Sequence, residues 1–325
     1  MRVLSGTRPT GKLHLGNLLG ALENFRKLQG EDAFFMIADW HALTTEYESH
    51  TQIADNVQEV VLDYLSSGLD PEKCTIFVQS EVPEHVELAM IFSMITPLGW
   101  LERNPTYKDQ IREMKGKDLH THGFLGYPVL QAADILLYKA HKVPVGEDQL
   151  PHLELAREIL RRFHHLYKVE IFPEPEAIMT QTPKVPGTDG RKMSKSYNNC
   201  IYLADDSAVV VQKAKQMLTD PARLRKTDKG NPDVCPVFAH HKLFNAEGAA
   251  VVAEECRNAQ RGCVDCKLQV AGKINEFLEP IRTRREEWTK KPEMVRQVLD
   301  QGCRKARSVA QETLLETMKA VGLRK

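Results

Sequence analysis

Residues 3–17 read VLSGTRPTGKLHLGN and decide the fold that we predict for this chain. Residues 3–6 are a short apolar segment that predicts a β-strand, and the turn after them is rich in glycine and proline. From Leu15 onward, apolar residues recur with the spacing of a helix, through Leu18, Leu22 and Phe25. Glycines let a nucleotide approach the backbone closely, and the N–H groups at a helix start favour phosphate. The segment therefore predicts a phosphate-binding corner.

Two polar side chains lie near the predicted start of this helix. His14 and Asn17 are three residues apart, so one face of the helix presents two hydrogen-bond donors. Donors held in this way can stabilise a phosphate group whose charge rises in a transition state. An ordinary strand–loop–helix corner capped by polar residues has the same pattern, and this motif alone does not separate the two interpretations.

A second motif, KMSKS at residues 192–196, lies in a polar segment beside Gly187 and Gly190. Lys192 and Lys195 are flexible cations that could reach a triphosphate and then the pyrophosphate that leaves it. Positioning and electrostatic stabilisation are most of what nucleotidyl transfer requires. A solvated basic loop is the alternative, but the presence of both motifs in this order favours nucleotide chemistry.

The first half of the chain alternates between predicted strands and helices. Residues 33–38 and 75–78 are nearly continuous apolar runs, as buried parallel strands tend to be, and residues 53–65 between them have helical periodicity. This order predicts an α/β fold with a doubly wound, Rossmann-like parallel sheet, whose ligands bind beyond the carboxyl ends of the strands.

The strand pattern disappears beyond Tyr202, and helical periodicity follows. The predicted helices of this part are residues 205–218, 268–277 and 293–321. We therefore expect two domains, a catalytic domain at residues 1–200 and a C-terminal helical domain at residues 201–325.

Composition excludes several classes of protein. The chain has 44 Lys+Arg and 44 Asp+Glu, so its formal net charge is zero and any contact with nucleic acid must be local. Residues 273–325 carry 13 Lys/Arg and 8 Asp/Glu, an excess that fits either RNA phosphates or a solvated face. No apolar run approaches the ~18 residues that span a membrane. We expect a cytoplasmic enzyme with no membrane partner.

Together, the two motifs resemble the ATP-handling elements of class I aminoacyl-tRNA synthetases. Asn17, residues 39–44 (DWHALT), 127–136 (YPVLQAADIL) and 145–149 (VGEDQ) resemble the tryptophanyl branch of that family. This resemblance implies ATP-dependent attachment of L-tryptophan to tRNA(Trp) through a tryptophanyl-adenylate, with Mg²⁺ accompanying ATP, and a homodimer. The tyrosyl branch is the alternative within the family. A redox-sensing RNA-binding protein that keeps the fold without catalysis is the alternative from another class.

The resemblance also implies roles for individual residues. The implied catalytic residues are His14, Asn17, Lys192 and Lys195. The implied contacts to ATP are Arg8, Pro9, Thr10, Gly16, Asn17, Gly146, Glu147, Asp148, Val185, Lys192, Met193, Ser194, Lys195 and Ser196. Asp134 would accept the indole N–H of tryptophan, and Tyr127 and Gln149 would bind its ammonium group. Asp134 is also consistent with a purely structural, hydrogen-bonded carboxylate, because an unpaired buried charge is costly. Residues 146–149 are also consistent with a plain turn.

Four of the seven cysteines are clustered in the predicted helical domain. Cys235, Cys256, Cys263 and Cys266 are separated by twenty, six and two residues. Cytosolic thiols stay reduced, so a metal site is favoured over a disulfide framework. Four thiolates can hold tetrahedral zinc or a cubane iron–sulfur cluster, and unliganded thiols are the third interpretation. The spacing resembles that of a subset of bacterial tryptophanyl-tRNA synthetases, which implies a [4Fe–4S] cluster, with zinc as the alternative.

Overall fold

The computed structural model describes residues 1–30, 32–113, 118–179 and 184–325. The strands in these ranges are β1 (Arg2–Thr7), β2 (Asp32–Ile37), β3 (Thr75–Val78), β4 (Lys142–Val145) and β5 (Glu176–Met179). The helices in the first 200 residues are α1 (Leu15–Asn17), α2 (Glu23–Leu28), α3 (Asp39–Glu46), α4 (Ile53–Ser66), α5 (Glu84–Ser93), α6 (Leu98–Glu102), α7 (Pro105–Glu113), α8 (His122–Leu137) and α9 (Leu150–Tyr167). The later helices are α10 (Ser207–Gln216), α11 (Pro236–Phe244), α12 (Ala246–Arg257), α13 (Cys263–Thr289) and α14 (Pro292–Ala320). A π-helical turn (Leu18–Leu22) joins α1 to α2.

The five strands form one parallel sheet in the order β3-β2-β1-β4-β5. Alternate residues of a strand point to opposite faces. Accordingly, Phe35 and Ile37 of β2 enter one hydrophobic core, while Phe34 and Met36 enter another. Both faces of the sheet are therefore covered, which confirms the predicted doubly wound α/β fold. The sequence analysis missed β5, because this edge strand is short and only half-buried.

The last helix, α14, packs against β3, one of the two edge strands of the sheet. Val295 and Leu299 of α14 belong to the core that contains Phe35, whereas Ala306 and Ala310 belong to the core on the opposite face. Between them Gly302 lies directly against β3, where an added Cβ would be 1.8 Å from the Ile76 oxygen. This helix thus covers the edge of β3, which would otherwise offer unpaired backbone groups.

The C-terminal helices share their hydrophobic core with the sheet. Val270, Ala271, Ile274 and Leu278 of α13 pack in the same buried cluster as Val60 of α4. The division of the chain at residues 200 and 201 remains a prediction, and the helices on the later side of it are packed against the earlier side.

The topology places the predicted site segments at one edge of the sheet. The strand order reverses between β1 and β4, and ligands of such sheets bind at this point, beyond the carboxyl ends of the strands. Residues 8–17 follow β1, residues 38–44 follow β2 and residues 146–149 follow β4. Among the helices in the described ranges, none is both long and apolar enough to cross a membrane.

Candidate active site

The glycine-rich loop after β1 ends in a reciprocal cap. Gly11 has a φ of +107°, a conformation that favours glycine. His14 is the N-cap of α1, and its Nδ1 accepts a hydrogen bond from the Asn17 N–H at 3.3 Å. In return, Asn17 Oδ1 accepts from the His14 N–H at 3.1 Å. This exchange leaves His14 Nε2–H and the Asn17 amide N–H groups as donors for a ligand.

His14 is uncharged at neutral pH. Its side chain is buried, and burial together with the positive charges of Lys195 and Lys192 lowers its pKa to about 4. Because Nδ1 accepts a hydrogen bond, the single proton of the neutral ring is on Nε2. Both lysines of the second motif therefore act electrostatically on the first motif, as expected for two elements that share one ligand.

Backbone pairing joins the two motifs. The Leu15 N–H donates to the Ile201 oxygen at 3.0 Å, and the Leu203 N–H donates to the Leu13 oxygen at 2.9 Å. This pairing brings Lys195 to the glycine-rich loop, where its Nζ donates to the Gly11 oxygen at 2.8 Å. Burial lowers the pKa of Lys195 to about 8, and the charge of nearby Asp63 opposes that effect.

Asn199 shapes the lysine loop, which we define as residues 184–200. Its Oδ1 accepts from the Ser194 N–H at 2.8 Å, and its Nδ2 donates to Asp189 Oδ1 at 2.7 Å and to the Lys192 oxygen at 3.2 Å. Gly187 permits this arrangement, because an added Cβ there would meet the Asn199 amide at 2.1 Å. The sequence alone did not indicate Asn199, since one asparagine in a polar loop carries no distinguishing pattern.

The lysine-loop residues of the predicted site divide into two groups. Lys192 and Ser196 are exposed, and Lys195 and Ser194 are half-buried. In contrast, the side chains of Val185 and Met193 are buried in the hydrophobic core, and the Met193 N–H donates to the Val185 oxygen at 3.1 Å. Those two residues thus anchor the loop, and their predicted contact with ATP would have to use backbone atoms.

Asp134 lies at the centre of a buried polar cluster. Its Oδ2 is 2.7 Å from His41 Nε2, and its Oδ1 is 2.6 Å from His85 Nδ1 and accepts from Gln79 Nε2 at 2.8 Å. The cluster continues to Tyr138, whose hydroxyl is 2.8 Å from His85 Nε2. Burial by itself raises the pKa of the Asp134 carboxyl, but the two imidazoles outweigh it and hold that pKa at about 2.

Tyr127 is fixed by a second histidine. Burial is the main reason that the pKa of His152 falls to about 4, so its ring is neutral at pH 7. His152 Nδ1 accepts from the Asn104 amide at 3.1 Å, which places the ring proton on Nε2, 3.0 Å from the Tyr127 hydroxyl. The Tyr127 hydroxyl hydrogen therefore stays available to another acceptor.

The segment after β4 orders its own polar side chains. Gln149 Nε2 donates to Asp148 Oδ2 at 2.8 Å, and Gln149 Oε1 accepts from Gln131 Nε2 at 3.4 Å. Gly146 is needed because an added Cβ would be 2.8 Å from Asp148 Oδ1. Glu147 and Asp148 are exposed at the carboxyl edge of the sheet, as are Arg8 and Thr10. Pro9 is buried below them.

The four clustered cysteines surround one small cavity. Cys235 precedes α11, Cys256 is in α12, and Cys263 and Cys266 are in the first turn of α13. All four line a cavity of about 20 Å³, together with Arg223. Within the described ranges, no group of three or more His, Cys, Asp or Glu side chains is arranged to hold a metal ion.

Comparison with known proteins gives one consistent answer. The family described as "tRNA synthetases class I (W and Y)" matches residues 1–279. The tryptophan–tRNA ligase of Thermotoga maritima is 52% identical over 99% of each chain, and that of Aquifex aeolicus is 45% identical over 99% of this chain and 100% of the relative. The tryptophanyl-tRNA synthetase of Campylobacter jejuni, solved with ADP and tryptophan, superposes with a TM-score of 0.89 at 35% identity, covering 99% of this chain and 100% of that chain.

The chain belongs to the tryptophanyl-tRNA synthetases of class I. Its reaction is the charging of tRNA with tryptophan, and the reaction of this family uses ATP with Mg²⁺. The predicted enzyme and its amino-acid substrate are confirmed. The two alternatives, a tyrosine enzyme and an RNA-binding protein without catalysis, do not agree with relatives that match over their whole length.

Several residues that make hydrogen bonds in this site were not predicted from the sequence. They are His85, Gln79, Asn104, His152 and Asn199. Each acts through a contact with a residue far away along the chain or through a loop-specific turn. The sequence offered a signal only for His41, which lies in the DWHALT segment that resembles the family.

The contribution of the Asp134 cluster to the free energy of unfolding is lost at acid pH. Because the folded pKa of about 2 is below the ordinary value of 3.8, the ionised carboxylate contributes stability above about pH 4, and this contribution is lost as pH falls toward 2. We expect Asp134→Asn to lower the free energy of unfolding by about 2–4 kcal/mol at pH 7 and by less at pH 3, measured by urea unfolding. Asp32→Asn, at an exposed ion pair with Arg2, is the control and should cost less than about 1 kcal/mol. An equal loss at both pH values for Asp134→Asn would contradict the assignment.

Proposed function

We propose that tryptophanyl-adenylate forms between the glycine-rich loop and the lysine loop. The tryptophan carboxylate attacks the α-phosphorus of ATP, and pyrophosphate leaves with the electron pair of the broken P–O bond. His14 Nε2–H, the Asn17 amide, Lys192 and Lys195 stabilise the charge that develops on the phosphate oxygens. The adenylate carbonyl is then attacked by a terminal ribose hydroxyl of tRNA(Trp), which releases AMP.

The observation that carries this proposal is the backbone pairing of residues 13–15 with residues 201–203. The pairing joins the segment that carries His14 and Asn17 to the loop that carries Lys192 and Lys195, and the charges of both lysines act on His14. Lys195 is bound to the Gly11 oxygen and is 3.3 Å from Thr10 Oγ1, so it can exchange these neutral acceptors for phosphate oxygens. The structural neighbour from Campylobacter jejuni was solved with ADP and tryptophan, so a protein of this fold binds an adenine nucleotide and the amino acid.

The other proposed contacts to ATP surround this space. Arg8, Thr10 and Gly16 are on the side of β1, and Gly146, Glu147 and Asp148 are on the side of β4. Pro9, Val185, Met193, Ser194 and Ser196 remain proposals from the motifs. Mg²⁺ would be held mostly by phosphate oxygens and water, as this ion prefers.

The proposed tryptophan pocket is built around Asp134. An ionised carboxylate offers about four acceptor positions, and His41, His85 and Gln79 use three of them. The remaining position suits one N–H donor, which is the polar group of an indole ring. The Tyr127 hydroxyl and the Gln149 amide oxygen are the proposed partners of the substrate ammonium.

Lys195→Ala tests the proposed chemistry. Loss of a cation that acts mainly on the transition state should lower kcat for tryptophan-dependent ATP–pyrophosphate exchange by about 10²–10³-fold, with little change in KM for tryptophan. The control is Lys12→Ala, an exposed lysine of the glycine-rich loop, which should retain activity within about threefold. A raised KM with an unchanged kcat for Lys195→Ala would show that this lysine only binds substrate.

We also propose that Cys235, Cys256, Cys263 and Cys266 hold a [4Fe–4S] cluster. The residue types fit, because four cysteine thiols, the usual ligands of such a cluster, line one cavity. Arg223 Nη1 donates to Cys256 Sγ at 3.7 Å in the same cavity. Burial and then neighbouring Cys235 raise the pKa of the Cys266 thiol to about 12, so these thiols lie in each other's electrostatic field. When bound, such a cluster cross-links the segments that carry the thiolates and can take up or release an electron.

The reason to prefer the cluster over zinc is the spacing of the four cysteines, which resembles that of a subset of bacterial tryptophanyl-tRNA synthetases. Zinc is the alternative, because four thiolates can also hold one tetrahedral zinc ion.

Metal analysis of protein purified without oxygen tests this site. We expect about four irons per chain, and Cys263→Ser should lose iron and make residues 201–262 more sensitive to proteolysis, because metal binding energy is folding energy. Cys303→Ser, on α14 and away from the cavity, should keep the iron. One zinc per chain would support the alternative, and no metal would defeat both.

The tRNA and the compartment remain proposals. We infer that residues 201–325 form an anticodon-binding region, which the local excess of basic residues in 273–325 supports. All seven cysteines are free, which fits the reducing cytoplasm.

We further propose a homodimer through α5 and α6. Val86, Met90 and Met94 are exposed apolar residues at intervals of four along α5 and its C-cap, so they form a stripe on one helix face. Leu98, the first residue of α6, is also exposed. Aligned apolar residues of this kind mark interaction sites, and a two-fold interface would pair the stripe with itself.

Sedimentation tests the dimer. The native protein should have about twice the 36.9 kDa mass of one chain, and Met90→Lys combined with Met94→Lys should give monomers. Leu224→Lys, at an exposed leucine outside the stripe, should stay dimeric. A native monomer would contradict the proposal.

A further inference from the structure

Asp63 is a buried carboxylate for which the proposed chemistry gives no role. It lies in α4 and is fully buried. Its Oδ2 accepts from the Leu13 N–H at 2.7 Å, and its Oδ1 accepts from Arg285 Nη1 at 2.5 Å. One carboxylate therefore connects the glycine-rich loop to α13.

Arg285 holds two carboxylates of α4 at once. Its Nη2 is 2.6 Å from Glu59 Oε2, one helical turn before Asp63. The Arg285 side chain is mostly buried, and its planar fork suits this paired geometry. Removing one partner of such a pair leaves an uncompensated buried charge, which is strongly unfavourable.

The charge of Asp63 also reaches the lysine loop. Leu13 is two residues after Gly11, whose oxygen accepts from Lys195 Nζ. Burial lowers the pKa of Lys195, and Asp63 is the first charge that opposes this effect; Cys200 also raises it and Arg8 lowers it. Asp63 thus acts on the loop through Leu13 and on the lysine through space.

Asp63 in turn needs Arg285 to stay ionised. Burial raises its pKa to about 6, and Arg285 is the strongest of the groups that lower it, ahead of the Leu13 N–H and Lys195, while Glu59 raises it. Without the guanidinium, the pKa of this carboxyl would rise further, so the carboxyl would take up its proton at a higher pH. A neutral acid would weaken both the hydrogen bond to Leu13 and the field at Lys195.

We propose that Arg285 is a positioning residue for adenylate formation, which acts by holding the Asp63 carboxylate on the Leu13 N–H and near Lys195. This inference rests on the role proposed above for Lys195. Arg285 belongs to the same helix whose first turn carries Cys263 and Cys266, about 28–33 Å away at ~1.5 Å per residue. Helix α13 therefore begins at the cysteine cavity, and near its other end Arg285 contacts the carboxylate that binds the glycine-rich loop.

The test is ATP–pyrophosphate exchange by Arg285→Met as a function of pH. We expect kcat to fall about tenfold while KM for tryptophan changes less than about twofold. The reason is that the glycine-rich loop and Lys195 stabilise mainly the transition state. The acid limb of the kcat profile should move to higher pH, because the ionised Asp63 carboxylate is the active form and its pKa rises above about 6 without Arg285. A purely structural role would lower stability without moving this limb.

Two variants make the comparison specific. Arg284→Met removes the same charge from the neighbouring position, where Nε donates to the Ser66 oxygen at 2.6 Å, and it should leave kcat and the limb unchanged. Arg285→Lys keeps the charge and should recover most of kcat. If Arg285→Met and Arg284→Met behave alike, the inference is overturned.

Two further results separate the possible failures. If Arg285→Met does not fold, Asp63→Asn with Arg285→Met removes both charges together, and it should show the low kcat without the acid limb that Asp63 causes. Activity of the native level in that double variant would overturn the inference. Native kcat in Lys195→Ala would instead overturn the proposed chemistry, on which the inference depends.

Discussion

Leu13 and Leu15 exchange backbone hydrogen bonds with Leu203 and Ile201, and the geometry of the whole site depends on this short pairing. It brings a strand–turn–helix corner near the start of the chain against a loop near residue 195. The bonds use main-chain atoms, so they fix position without using the side chains of the motifs. The donors of His14, Asn17 and the lysines therefore remain available for phosphate.

Buried charge is handled in two different ways around the site. Asp134 is surrounded by donors on three sides, and its pKa stays near 2 although it is buried. Asp63 has fewer donors and one guanidinium, so burial prevails and its pKa rises to about 6. The first carboxylate is thus secure at any physiological pH, whereas the charge of the second depends on one partner, Arg285.

The cysteine cavity and the lysine loop are packed against each other. The Leu218 N–H donates to the Thr188 oxygen at 2.8 Å, and the next residues, Thr219 and Asp220, line the cavity. On another side, Pro236, directly after Cys235, leaves no room for a Cβ at Gly190. The segments that would hold a metal group are therefore in direct contact with the loop that would hold ATP, although the two motifs are separate in sequence.

The sequence by itself determined the fold class, the two motifs proposed to bind ATP and the grouping of four cysteines, because these signals are local: apolar periodicity, glycine in a turn, and spacing along the chain. Only the tertiary structure decided that α14 covers the edge of β3, that His85 and Gln79 are hydrogen-bonded to Asp134, and that Arg285 forms an ion pair with Asp63. Those contacts join residues as many as 226 positions apart, as Ile76 and Gly302 are. No local pattern encodes them, because a buried polar group finds its partner only after the chain path has brought the two elements together.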